Sequence, residues 1–136
     1  MPRLGLTNRD IDMNDYKVKL SLPVTYEFLC DILTTAAEGG IGYWASYSPE
    51  RDKDLNVWLI RNITDDDDEL LGKGFVELKD ITRALSKICS GDSDLWSTQV
   101  AYIMRCVMDP DGGATLDADD CDAILQTALF DEVIYG

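Results

Sequence analysis

Ile41-Gly42-Tyr43-Trp44-Ala45-Ser46-Tyr47, a charged link at 48–54 (SPERDKD), and Leu55-Asn56-Val57-Trp58-Leu59-Ile60-Arg61-Asn62-Ile63 form the stretch on which the fold turns. Each flank is rich in aromatic and β-branched residues, which favour strands. In the second flank Val57 and Leu59 share one face and Trp58 and Ile60 the other. Two such runs around a polar link read as a long hairpin. Apolar side chains on both faces place that hairpin inside a sheet covered by helices. The expectation is an α+β fold: a small antiparallel sheet with a central hairpin packed against about four helices.

Outward from the hairpin, the apolar spacing changes period. Phe28, Leu29, Ile32, Leu33 and Ala36 recur at helical intervals, with Thr25 as cap and Gly39 at the left-handed stop. Leu78, Ile81, Leu85 and Ile88 mark a second helix that Gly91 ends. A third, capped by Asp92, Ser93 or Asp94, carries the stripe Trp96, Val100, Ile103 and Val107. After the breaker at 109–113, Thr115 or Asp117 opens a fourth, with Cys121, Ile124, Leu125, Ala128 and Leu129 inward. Residues 17–22, 70–76 and 133–135 are further strand candidates. Residues 1–16 read as a loose arm and 17–136 as one domain, a size at which roughly two-thirds of the unfolded surface is buried.

The chain has 136 residues, with 12 Lys and Arg against 26 Asp and Glu, and a formal net charge of −14. That balance disfavours nucleic acid and anionic membranes as partners and favours basic proteins. The plainer reading is an ordinary acidic soluble protein. The charge is uneven: residues 92–136 hold ten acids and one base, Arg105. Within them Asp109, Asp111, Asp117, Asp119, Asp120 and Asp122 are expected to form a negative patch for a basic partner. Part of that bias has a structural origin, because a helix N-terminus favours acids.

Histidine is absent from the sequence. This removes Ser-His-Asp and Cys-His catalysis and imidazole metal sites. Gly40-Ile41-Gly42-Tyr43-Trp44-Ala45 spells a dinucleotide-type G-x-G-x-x-A, but follows a helix and opens a strand, the reverse of what phosphate binding needs. Gly72-Lys73-Gly74 is no stronger. Residues 109–120 (DPDGGATLDADD) have calcium-loop spacing at Asp109, Asp111, Asp117 and Asp120. Gly113, Ala114 and the short Asp120 depart from the pattern, so an acidic turn with a helix cap is the better reading. The run Asp65 to Glu69 reads as a solvated loop. No metal and no cofactor is expected.

Cys30, Cys89, Cys106 and Cys121 fall within apolar helical patterns. With no signal-peptide pattern in the opening residues, they are expected to be reduced thiols of a cytoplasmic protein, at least three of them buried. Tyr43, Trp44, Tyr47 and Trp58 are divided between core and surface. Tyr43, Trp44 and Trp58 are the candidate anchors of a binding face.

Glu38-Gly39-Gly40-Ile41-Gly42-Tyr43-Trp44, and the block from Asp122 to Gly136 (DAILQTALFDEVIYG), resemble blocks of a family of small uncharacterised proteins of tailed bacteriophages. The resemblance implies a phage product acting in the cytoplasm of a bacterial host cell and assigns no residue a role. The combined expectation is a non-enzymatic accessory protein that binds and modulates a basic host factor, such as a defence or nucleic-acid enzyme. It contacts neither nucleic acid nor membrane directly, and a homo-oligomer fits as well. The alternatives are a protein sequestering a small ligand or divalent metal, and a carboxylate-dependent enzyme.

Overall fold

The computed structural model describes residues 21–52, 57–62, 75–109 and 116–136, with side chains described for 21–45, 76–109 and 116–136. The expected arm at 1–16, most of the strand candidates at 17–22 and 70–76, and the Asp65 to Glu69 run lie outside these residues.

Four helices make the body: α1 (Tyr26–Thr35), α2 (Leu78–Cys89), α3 (Ser97–Met108) and α4 (Ala118–Phe130). Thr25 caps α1 by accepting the Phe28 amide at 3.0 Å. Beyond Thr35 the helix does not stop at Gly39. It widens into a π turn, Ala36–Gly40, and no left-handed glycine closes it. Gly91 does take the left-handed conformation, φ +80°, after α2. The expected caps Asp92, Ser93 and Asp94 do not open α3. Its N-cap is Trp96, whose side chain makes no capping bond.

The helix α4 is the centre. Every residue from Asp120 to Ala128 is buried, so this helix is enclosed on all faces rather than along one stripe. It packs against α1, the π turn and α2, and α3 joins the cluster through α2. Leu29, Ile32, Leu33, Ile81, Leu85, Ile88, Ile103, Ile124 and Leu125 fill the space between them. At its N-terminus Asp117 accepts the Asp120 amide at 2.8 Å, and Asp120 in turn accepts the Asp117 amide at 3.3 Å. Such a reciprocal pair satisfies two amides that the helix itself leaves open. At the other end Arg83 and Lys87 of α2 donate to the Ala128 and Asp131 carbonyls at 2.7 and 2.6 Å. Cations there complement the negative pole of the helix.

The α+β expectation is therefore overturned: the described residues are mostly helical. Short extended stretches at Ala45–Asp52, Val57–Asn62 and Phe75–Glu77 pair antiparallel in that order, with an irregularity between Tyr47 and Arg51. They do not form a sheet on which the helices pack. Their main neighbours are one another; Phe75–Glu77 leads straight into α2, and Ala45 and Val76 reach the helical core. The core is built helix on helix. Val133 to Tyr135 is no strand either; its amides bond to side chains.

Candidate functional site

The two sequence blocks at 38–44 and 122–136 meet at the flank of α4. The contact starts with a glycine. A Cβ on Gly40 would stand 2.7 Å from the Ala118 carbonyl oxygen, and one on Gly39 would meet the Ala118 side chain at 3.7 Å. Only a bare backbone lets the π turn approach α4 this closely. The chain then turns, with the Trp44 and Ala45 amides donating to the Ile41 carbonyl at 3.0 and 2.8 Å. That turn delivers Tyr43 and Trp44 to one carboxylate. Asp122 accepts the Trp44 Nε1 proton at 2.7 Å and the Tyr43 hydroxyl at 2.5 Å, and Gln126 Nε2 donates to it at 2.9 Å.

Gln126 extends the network to the last residues. Its Oε1 accepts the Ile134 and Tyr135 amides, both at 2.8 Å, and its Nε2 also lies 3.1 Å from the Tyr135 carbonyl. One fully buried amide side chain thus satisfies backbone groups that a strand partner would otherwise satisfy. The Tyr135 ring stacks on the Trp44 indole, centroids 5.4 Å apart and planes within 4°. Phe130 meets the same indole edge-on at 5.6 Å.

This network relocates several candidate residues. Trp44 is 1% exposed and Asp122 8%, so neither belongs to a binding surface. Asp120, expected in the negative patch, is 6% exposed; besides its cap bonds it accepts from Gln99 at 3.2 Å. Burial is the main cause that raises its pKa above the usual carboxylate value. Asp109, Asp117 and Asp119 are exposed, as is the Tyr43 ring. Asp111 and the Trp58 side chain lie outside the described residues.

Tyr43 spans both environments. Its ring faces solvent while burial of its hydroxyl, then the bond to Asp122 and that carboxylate's charge, push its pKa up to about 12 from 10.0; Asp119 adds a smaller push in the same direction. A raised value in the folded state means that this contribution to stability is complete below pH 10 and is lost as pH rises through about 12. At neutral pH the phenol is a fixed donor. The surface around the start of α4 therefore presents an aromatic ring, held from behind, beside the exposed Asp119.

The four thiols are free; Cys106 and Cys121 are buried and Cys30 and Cys89 half-buried, so two are buried where at least three were expected. Burial pushes the Cys121 thiol up to about 12, which keeps it protonated and unreactive. An open groove of about 300 Å³ between residues 22–25 and the end of α3 is lined by Leu22, Pro23, Val24, Thr25, Val107 and Met108, without a titratable group. Among the described residues no three Cys, Asp or Glu side chains gather as a metal site, and residues 110–115 of the calcium-loop pattern are outside them. No helix of the described residues is long and apolar enough to cross a membrane.

The G-x-G-x-x-A stretch has its own explanation, which makes a prediction. Gly40 serves the approach to α4, whereas a Cβ on Gly42 would meet nothing within 4 Å. Gly40→Ala is expected to cost about 1–3 kcal/mol in urea unfolding, because the obstacle is backbone and cannot turn aside. Gly42→Ala should be nearly neutral. Equal costs at the two positions would contradict this reading.

Compared with known proteins, the chain matches no family model, no curated protein and no solved structure.

Proposed function

We propose that the chain is a non-enzymatic binding protein, a phage-type accessory factor that engages a basic host protein through its acidic surface. The observation that carries this reading is how the carboxylates are divided. The buried Asp120 and Asp122 are taken up by capping and by the Trp44–Gln126 network. Arg83 and Lys87 are taken up at the far end of α4. Glu38, Asp117 and Asp119 face solvent around the start of α4, with the Tyr43 ring beside them and no base paired to them among the described residues. Fixed negative charge around an exposed aromatic ring suits a Lys- or Arg-bearing surface. The sequence has no histidine, and the buried carboxylates Asp120 and Asp122 accept bonds from fixed donors instead of facing a cavity.

Charge reversal tests the proposal. Glu38→Lys and Asp119→Lys together should leave the fold intact, since neither residue caps or fills the core. The basic protein captured by the wild-type chain from a bacterial lysate should then be lost, with affinity down by about tenfold or more. Wild-type binding should also weaken steeply as salt shortens the screening length to below about 8 Å. Unchanged capture by the folded double variant would overturn the reading. Asp122, although part of the expected acidic patch, is unsuitable for this test because its replacement disrupts the core.

A further inference from the structure

The most exposed large apolar side chain among the described residues is Trp96, at 83%. Tryptophan is seldom left this open to water. Its backbone position makes the exposure more informative. Trp96 is the N-cap of α3, where Ser, Thr, Asp or Asn would satisfy an open amide, yet its side chain caps nothing. The residue therefore contributes neither burial nor capping to the fold.

The charged residues just before it in the chain, Asp92 and Asp94, are both acidic. Two residues earlier, Asp94 accepts the Val133 amide at 3.2 and 3.4 Å through its two oxygens. That contact fastens the 131–134 segment beside the loop that leads to Trp96. Exposed on the two segments that this bond joins are Asp92, Asp94, Asp131 and Glu132, with Ile134 half open at 49%. The adjoining base, Lys87, has its ammonium against the Asp131 carbonyl.

We propose that Trp96 and the carboxylates around it dock an arginine-bearing segment of a partner protein. A guanidinium is planar and weakly hydrated; it stacks on an indole face while its forked donors reach carboxylates, a combination that a lysine ammonium matches less well. An anionic partner is repelled here. A second copy of this chain is a poor occupant, since each copy brings a net charge of −14 to the contact. This inference rests on the reading of the chain as a binder of basic protein, and it adds the location of the contact and the preference for arginine.

The test uses the full chain and three synthetic octapeptides, all arginine, all lysine, and neutral Gly-Ser, titrated by calorimetry at about 50 mM salt, where surface charges are weakly screened. The wild-type chain should bind the arginine peptide, the lysine peptide several-fold more weakly, and the neutral one not at all. Trp96→Ser should weaken arginine-peptide binding by about tenfold and remove the preference over lysine. Its melting temperature should not fall, because serine can cap α3. Trp96→Phe, which keeps a ring, should lie between the two. Equal binding by Trp96→Ser and wild type would overturn the proposal, as would a sedimentation result showing a dimer that Trp96→Ser dissolves. If Glu38→Lys with Asp119→Lys loses the arginine peptide while Trp96→Ser keeps it, the basic-partner reading stands and the Trp96 site falls. If the wild-type chain binds neither basic peptide, both fall.

Discussion

Replacing Asp122 with alanine is expected to lower the unfolding free energy by about 3–5 kcal/mol, a large part of the roughly 5–15 kcal/mol typical of a domain. Asp122 is 8% exposed and accepts from Trp44, Tyr43 and Gln126. Its removal leaves the Trp44 indole N–H in the interior with no acceptor and takes from the Gln126 amide its charged acceptor, leaving it the Tyr135 carbonyl. Each orphaned buried donor costs about 1–3 kcal/mol. The Tyr43 hydroxyl adds less, because its ring is at the surface and the group can turn to water. Asp122→Asn keeps the shape and one acceptor oxygen but sets an NH2 against donors, so an intermediate cost of about 1–3 kcal/mol follows. Asp122→Lys should abolish the cooperative transition, since it buries a cation among donors. Urea unfolding followed by circular dichroism measures all three. A cost for Asp122→Ala below about 1 kcal/mol would return Asp122 to the solvated acidic face that its composition suggested.

The misreading of Asp122 shows what pattern alone conveys. The apolar stripe of α4 at Cys121, Ile124, Leu125 and Ala128 was legible, and Asp117, its cap, was one of the two residues expected to open it. A stripe implies an opposite face in water, and that inference placed Asp120 and Asp122 outside. In the fold α4 has neighbours all round, so its polar residues are interior and must find partners within the chain. A signal for this was present: Asp122 and Gln126 are four residues apart and share one side of a helix that over 121–129 is otherwise made of Cys, Ala, Ile, Leu and Thr. Trp96 failed in the opposite direction. Helical spacing to Val100 and Ile103 suggested core, but spacing does not say where the helix begins, and Trp96 is the residue just before its first turn.

The sheet-centred fold was misjudged for a related reason. Aromatic enrichment at 41–47 favoured a strand, whereas Tyr43 and Trp44 lie in the turn that precedes it and reach back to α4. Propensity responds to residue type, and a large ring in a turn serves a helical core as well as a strand does. The 38–44 and 122–136 blocks have an explanation in packing. Gly40, Trp44, Asp122, Gln126 and Tyr135 make a single unit, and that unit specifies fold more directly than it specifies binding.

Trp44→Ala is expected to cost about 3–5 kcal/mol, comparable to the loss at Asp122 but by a different route. The indole is 1% exposed and packs against the stacked Tyr135 ring and the edge-on Phe130 ring, which also meet each other at 6.2 Å. Truncation opens a cavity that the rigid ends of α4 and the π turn cannot close, and it removes two aromatic pairings, each of about 0.5–1.5 kcal/mol. It also takes one donor from Asp122. Trp44→Phe separates these effects. It preserves most of the ring contact and deletes the Nε1 donor, so about 1–3 kcal/mol should be lost, with Asp122 still held by Tyr43 and Gln126. Because Trp44 joins the turn after the π helix to the 133–136 segment, its loss should couple to that of Tyr135. The double variant Trp44→Ala, Tyr135→Ala should be less destabilised than the sum of the two single changes, by about 0.5–3 kcal/mol. Strict additivity in urea unfolding would mean that the two blocks are held independently, and Asp122 and Gln126 alone would then have to account for their meeting at α4.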